Sequence, residues 1–81
     1  MIDGTFDRVV GCILAVFESK QKTVPAIAAE TKLDGSLGLA SLDYAELVVR
    51  LEDEFGFDPF VDGIPSGLAT VADLTALYAS R

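Results

Sequence analysis

The chain has 81 residues, a net charge of −7 and a 51% hydrophobic composition, which fits one small globular domain over residues 1–81 rather than a disordered segment. A core of this size supplies only about 3–5 kcal/mol without staples, and neither a disulfide nor a metal cluster is expected, because Cys12 stands alone and histidine is absent. The negative charge speaks against nucleic acid and anionic membranes as partners, and no apolar run approaches the ~20 residues that span a bilayer.

The N-terminal Met1-Ile2-Asp3-Gly4 lacks the basic start of a secretory signal, so a cytoplasmic, monomeric protein is expected. A first helix is expected from about Asp3 to Ser19, with Phe6, Val10, Ile13, Leu14 and Phe17 at helical spacing. Asp3 or Thr5 is its candidate cap, and Gly11 in its interior costs roughly 1 kcal/mol relative to Ala. Cys12 reads as a small buried filler beside that stripe, since nothing near it in sequence would lower a thiol pKa.

From Lys20 to Ala40 the periodicity breaks at Pro25, Gly35 and Gly38. Pro25-Ala26-Ile27-Ala28-Ala29-Glu30 is expected to form a turn or two of helix with Pro25 at its first position. The rest reads as a loop pinned by Leu33, Leu37 and Leu39, and a loop of this length in a small domain is usually functional or disordered.

A second helix over about Ser41 to Phe55 has the clearest pattern. Tyr44, Leu47, Val48, Leu51 and Phe55 make one apolar stripe, and Gly56 is a C-terminal stop. Phe57-Asp58-Pro59-Phe60 turns the chain, and Ile64-Pro65-Ser66-Gly67-Leu68 is expected to form a short turn or single-turn helix. Thr70-Val71-Ala72-Asp73 resembles a capping box and opens a last helix, about Val71 to Ala79, with Val71, Leu74 and either Leu77 or Tyr78 inward. The fold class is all-α, a small bundle of three principal helices plus one short helix.

Two features of the second helix point to function. Leu42, Glu46, Val49 and Asp53 share a face distinct from the core stripe, with Glu52 alongside. An apolar centre with a charged rim suits docking, although scattered surface hydrophobics are also common. The second feature is Ser41, a lone hydroxyl where a glycine-containing loop turns into a helix. A helix start offers unpaired N–H groups and the positive end of the macrodipole, which suits an attached phosphate; a serine there is also an ordinary cap. From Ser41 to Asp62 seven acids face Arg50 alone, so basic partners are favoured at long range.

Taken together these residues resemble an acyl carrier protein over nearly the whole chain. Leu37-Gly38-Leu39-Ala40-Ser41-Leu42-Asp43 is similar to the family's modification loop. Glu46-Leu47-Val48 with Leu51-Glu52-Asp53-Glu54-Phe55-Gly56 is similar to its recognition helix, and Thr70-Val71 with Asp73-Leu74 to the start of its last helix. The resemblance implies that Ser41 carries 4′-phosphopantetheine, transferred from coenzyme A by a phosphopantetheinyl transferase, whose terminal thiol holds an acyl group as a thioester. It implies that Leu42, Asp43, Glu46, Val49, Glu52 and Asp53 meet partner enzymes: the transferase, an acyl-loading ligase or synthase, and downstream acyltransferases or condensing enzymes of fatty acid, polyketide or lipopeptide formation. One departure stands out: the family usually has Asp before the modified serine, where this chain has Ala40, and that residue meets the transferase. An aminoacyl or peptidyl carrier and an unmodified acidic adaptor are the competing readings. An independent enzyme is not expected, because without histidine there is no Ser–His pair and no Gly-Lys-Ser/Thr phosphate loop follows the glycines.

Overall fold

Helix boundaries follow the local signals in the chain. The computed structural model describes residues 4–21, 23, 25–61, 63 and 67–79. Among them are three α-helices, α1 Thr5–Ser19, α2 Ser41–Phe55 and α3 Val71–Ala79, and a short 3₁₀ turn Gly35–Leu37. α2 stops at Gly56, whose φ of 84° is the left-handed conformation that glycine adopts without a Cβ penalty, and the Gly56 N–H returns to Glu52 O at 2.7 Å. α3 opens on the reciprocal cap expected from Thr70 and Asp73. Asp73 N–H donates to Thr70 Oγ1 at 3.2 Å, while Asp73 Oδ2 accepts from the Ala69 and Thr70 amides at 2.9 Å each.

The core lies where α1 crosses both other helices. Val9, Ile13, Val16 and Phe17 of α1 are buried with Leu47, Leu51, Val71, Leu74 and Tyr78. The inward face of α1 is therefore rotated from the one expected. Val9, Cys12 and Val16 take its centre, whereas Phe6 and Val10 pack at its edge and Leu14 is half-buried. α1 is apolar over more than one stripe, so periodicity alone does not choose among neighbouring faces. Its N-cap is Gly4, without a side-chain cap bond; Thr5 lies inside the helix and buried, and the expected cap Asp3 falls outside the described residues. At the far end of the core, Tyr78 sits against the rings of Phe55 and Phe57, with centroids 4.7 and 5.2 Å away.

The helical turn expected over Pro25–Glu30 does not form. Residues 25–28 are irregular, and a turn follows in which Thr31 N–H donates to Ala28 O at 3.1 Å while Thr31 Oγ1 accepts from the Ala28 amide at 2.8 Å. The threonine hydroxyl captures an amide that a helix would need. The neighbouring backbone is committed to the approach of α3: Leu33 N–H reaches Ala69 O at 2.8 Å, Val71 N–H reaches Thr31 O at 2.9 Å and Ala72 N–H reaches Ala29 O at 2.8 Å, around one antiparallel bridge of Lys32 and Thr70. Leu37 and Leu39 are buried as expected, which pins the loop ahead of α2. Of the short helix expected over 64–68, residues 64–66 lie outside the described residues. Among the described residues no helix is long and apolar enough to cross a membrane.

Candidate functional site

Ser41 is the first residue of α2 and is exposed. The chain reaches it through buried Leu37, a left-handed Gly38 with φ 100° and buried Leu39. A Cβ built on Gly38 would lie 4.0 Å from Phe17 Cε1, so the demand for glycine there comes from the backbone angle and not from crowding. The N-cap position belongs to Ala40, in extended conformation with φ −88° and ψ 175°, and no side chain caps the helix from there. Ser41 is thus not a capping residue. Among the described residues its hydroxyl has no hydrogen-bond partner. Asp43 and Tyr44 N–H both reach Ala40 O, at 3.0 and 3.1 Å, so helix geometry leaves the first two amides of α2, those of Ser41 and Leu42, without helix carbonyls of their own, beside the positive end of the macrodipole.

Asp43 does not stand where a partner could meet it. The expectation that it meets partner enzymes is corrected by a side chain that is 7% exposed and turned back on the helix start. Asp43 Oδ2 accepts from the Ala40 amide at 2.9 Å, and Lys20 Nζ lies 3.3 Å from Oδ1. Three residues into a helix, a carboxylate reaches the N-cap amide, so a capping role draws it inward.

The remaining residues of the second stripe divide by exposure. Leu42 and Val49 are 81% and 65% exposed, and Glu52 and Asp53 are exposed beside them. Glu46 is half-buried and occupied: it accepts from Arg50 Nε at 2.9 Å and Ser19 Oγ at 3.0 Å, with Lys20 Nζ at 3.9 Å. The Arg50 hydrogen bond, then that of Ser19, hold its carboxyl below the ordinary range. Glu54 is likewise paired, with Arg8 Nε 2.7 Å from its Oε2 and the Arg8 guanidinium 4.3 Å above the Phe55 ring. Counting charges along one segment missed these partners, because α1 supplies Arg8, Ser19 and Lys20 from far away in sequence.

Two concavities flank α2. One, about 370 Å³, lies between α1 and α2, with Cys12 beneath Arg8, Arg50, Asp53 and Glu54. Burial and the nearby Glu54 charge push the Cys12 thiol pKa up, and its Sγ lies 3.8 Å from Arg50 O, in keeping with a packing role. The other, about 290 Å³, is apolar and lies between α2, α3 and the two long connections, with Leu33, Tyr44, Val48, Leu51, Phe60 and Leu68 in its walls. Tyr44, one helical turn beyond Ser41, donates its hydroxyl to Asp34 O at 2.9 Å. The charged rim of the larger cleft disfavours an apolar guest; the smaller crevice suits one.

The family model described as "Phosphopantetheine attachment site" matches residues 7–78. No curated protein matches the chain. Among solved structures, that of MacpD, an acyl carrier protein from Pseudomonas fluorescens involved in mupirocin biosynthesis, superimposes with a TM-score of 0.82 at 38% identity, covering 98% of this chain and 71% of that one. Members of the family carry 4′-phosphopantetheine covalently. The start of α2 fits such a group, with an exposed hydroxyl, a small neighbour in Ala40 and the helix dipole behind it. With three helices in the acyl carrier arrangement and a family match over nearly its whole length, the chain belongs to the phosphopantetheine attachment site family.

Proposed function

We propose that this protein carries thioester-bound acyl intermediates on a phosphopantetheine arm attached to Ser41, and that it presents them to separate biosynthetic enzymes without catalysing a reaction itself. The observation that carries the reading is the Ser41 hydroxyl: exposed, free of capping duty and seated at the electropositive start of the best-defined helix. When bound, the arm supplies a thiol for the acyl thioester. The residues of this chain hold and orient it. Ser41 gives the ester oxygen, the leading amides of α2 face the phosphate, and Asp43 with Lys20 fixes the helix start from behind.

Leu42, Val49, Glu52 and Asp53 form the face offered to partners, with Glu46 at its margin. Exposed charges add little lasting affinity but raise encounter rates, which suits a carrier that meets a transferase, a loading ligase or synthase and condensing or acyltransferase enzymes in turn. The 38% identity to a carrier involved in mupirocin biosynthesis supports a polyketide setting over fatty acid or lipopeptide formation. The protein acts in the cytoplasm as a monomer in this reading. Incubation with coenzyme A and a promiscuous transferase, followed by intact-mass measurement, tests it: wild type gains one phosphopantetheine and Ser41→Ala gains none. A wild type that stays unmodified while a control carrier is primed sinks the reading. It would favour an unmodified acidic adaptor, for which Ala40 in place of the family's usual acid speaks.

A further inference from the structure

We propose that Lys20, at the exit of α1, is a positioning residue for the attachment at Ser41. Acting through Asp43, it fixes the backbone that carries the hydroxyl, a task that the Ala40 side chain cannot perform. The proposal rests on the carrier reading above. Lys20 is itself anchored: it is the C-cap of α1, and its amide reaches Val16 O at 3.2 Å and Phe17 O at 3.1 Å. A cation there faces the negative end of the α1 dipole, as a carboxylate in the first turn of α2 faces the positive end of its own. The ammonium lies 3.3 Å from Asp43 Oδ1 and 3.9 Å from Glu46 Oε1. With Ser19 Oγ donating to Glu46 Oε2 at 3.0 Å, two consecutive residues at the end of α1 reach the first two turns of α2.

This series of contacts ends beside Ser41. Asp43 Oδ2 accepts from the Ala40 amide at 2.9 Å, which closes a ring around Ser41 and Leu42. The N-cap side chain is a methyl group with no cap bond, so this ring sets the direction of the Ser41 hydroxyl. Asp43 depends on Lys20 in turn, because its side chain is 7% exposed against 39% for Lys20. A carboxylate so far from water is costly without a counter-charge. With the ammonium gone it turns outward, and the Ala40 amide loses its acceptor. In the transfer, Ser41 Oγ forms a bond to the phosphorus that carries the pantetheine of coenzyme A, adenosine bisphosphate leaves, and the hydroxyl proton passes to a base of the transferase. The attack requires the oxygen in line with the departing group, so an angular error at the helix start acts on the rate of that step.

The test compares the unmodified full chain as wild type, Lys20→Met, Lys20→Arg, Asp43→Asn and the double variant of Lys20→Met with Asp43→Asn. Arg8→Met is the control, since it removes an ion pair between α1 and the other end of α2. Steady-state priming with coenzyme A and a promiscuous transferase, followed by intact mass, gives kcat and KM for the carrier. Lys20→Met should lower kcat about tenfold or more with KM nearly unchanged, and Lys20→Arg should restore most of it. Lys20→Met should add nothing to Asp43→Asn, and Arg8→Met should prime as wild type does. Amide hydrogen exchange of the unmodified chain, followed by NMR, is the readout that does not involve the arm. The Ala40 amide should exchange several-fold faster in Lys20→Met, while the Gly56 amide, bonded to Glu52 O at 2.7 Å, keeps its rate.

A rise in KM at constant kcat would make Lys20 a contact of the transferase, and an additive double variant would make it act apart from Asp43; either overturns the proposal. So does an Ala40 amide whose exchange is unmoved, or an Arg8→Met variant that primes as poorly as Lys20→Met. A wild type that gains no mass fails the carrier reading and takes the positioning role with it. A primed wild type with any of the other results fails this proposal alone, so the two failures are distinguishable.

Discussion

Ala40 holds the position at the start of α2 where a side-chain oxygen contributes most, and it has none to offer. Asp43 supplies only half of a capping box, from the helix side, by accepting the Ala40 amide. Ala40→Ser should complete the box without adding charge beside Asp43. The expected gain is about 1 kcal/mol, read as a rise in melting temperature of roughly 4–8 °C. No change would mean that Asp43 and Lys20 already satisfy the helix start. Tyr78 presents the opposite case, a buried hydroxyl with no hydrogen-bond partner among the described residues. Tyr78→Phe keeps the ring contacts with Phe55 and Phe57 and should stabilise by about 1 kcal/mol. Burial first, then the Asp58 charge, pushes the Tyr78 pKa up to about 12. The folded state therefore favours the neutral phenol. That contribution is whole below the ordinary tyrosine pKa near 10 and is lost as pH rises toward about 12. Urea titrations across that range should show a shallower alkaline decline in the variant, with a remainder from Tyr44, whose pKa burial also raises.

Among the elements, α3 depends on its first turn. Hydrogen bonds from the Ala69 and Thr70 amides hold the Asp73 carboxyl below the ordinary range. For such a group, stability is present above the usual carboxylate pKa near 4 and is lost as pH falls below it. Asp73→Asn should flatten that acid branch of the melting-temperature profile while Thr70 still caps the helix; an unaltered branch would assign the acid loss to Glu46 and other carboxylates. The bounds of α2 and α3 were legible because their signals are local: Gly56 stops one and Thr70 with Asp73 opens the other, while spacing left Leu77 and Tyr78 as alternatives on α3 and the core takes Tyr78. α1 was legible in extent but not in orientation, since neighbouring apolar stripes compete. The 20–40 connection was legible in its pinning by Leu37 and Leu39 but not in its path, because the bonds of Thr31 and Leu33 to Val71 and Ala69 join residues far apart in sequence. The candidate site divides in the same way. The exposed positions of Ser41, Leu42, Val49, Glu52 and Asp53 follow from helical spacing, whereas the inward turn of Asp43 and the engagement of Glu46 depend on Ser19 and Lys20 at the end of α1.

At the scale of the molecule, a net charge of −7 on 81 residues makes self-repulsion a standing term. Three basic side chains relieve it locally: Arg8 at Glu54, Lys20 at Asp43, and Arg50 at Glu46. Added salt acts on both terms with opposite sign. It screens the repulsion among Glu52, Asp53, Asp58 and the other acids without an ion pair among the described residues, and it weakens the three pairs. Exposed pairs contribute only about 0–1 kcal/mol each, and contacts as short as the 2.7 Å of Arg8 and Glu54 lie well inside a Debye length of about 8–10 Å. The repulsion, summed over longer separations, is the part that salt reaches first. Melting temperature should therefore rise between low salt and about 0.15 M, and Glu52→Lys should raise it at low salt while shrinking the salt increment. The same substitution, combined with Asp53→Lys, should slow association with a basic partner enzyme about tenfold or more, measured by stopped flow, and remove much of the salt dependence of that rate. A melting temperature that falls with salt would invert the balance, making the three pairs, two that join Arg8 and Lys20 to α2 and one within α2, and not the relief of repulsion, the dominant electrostatic term in the fold.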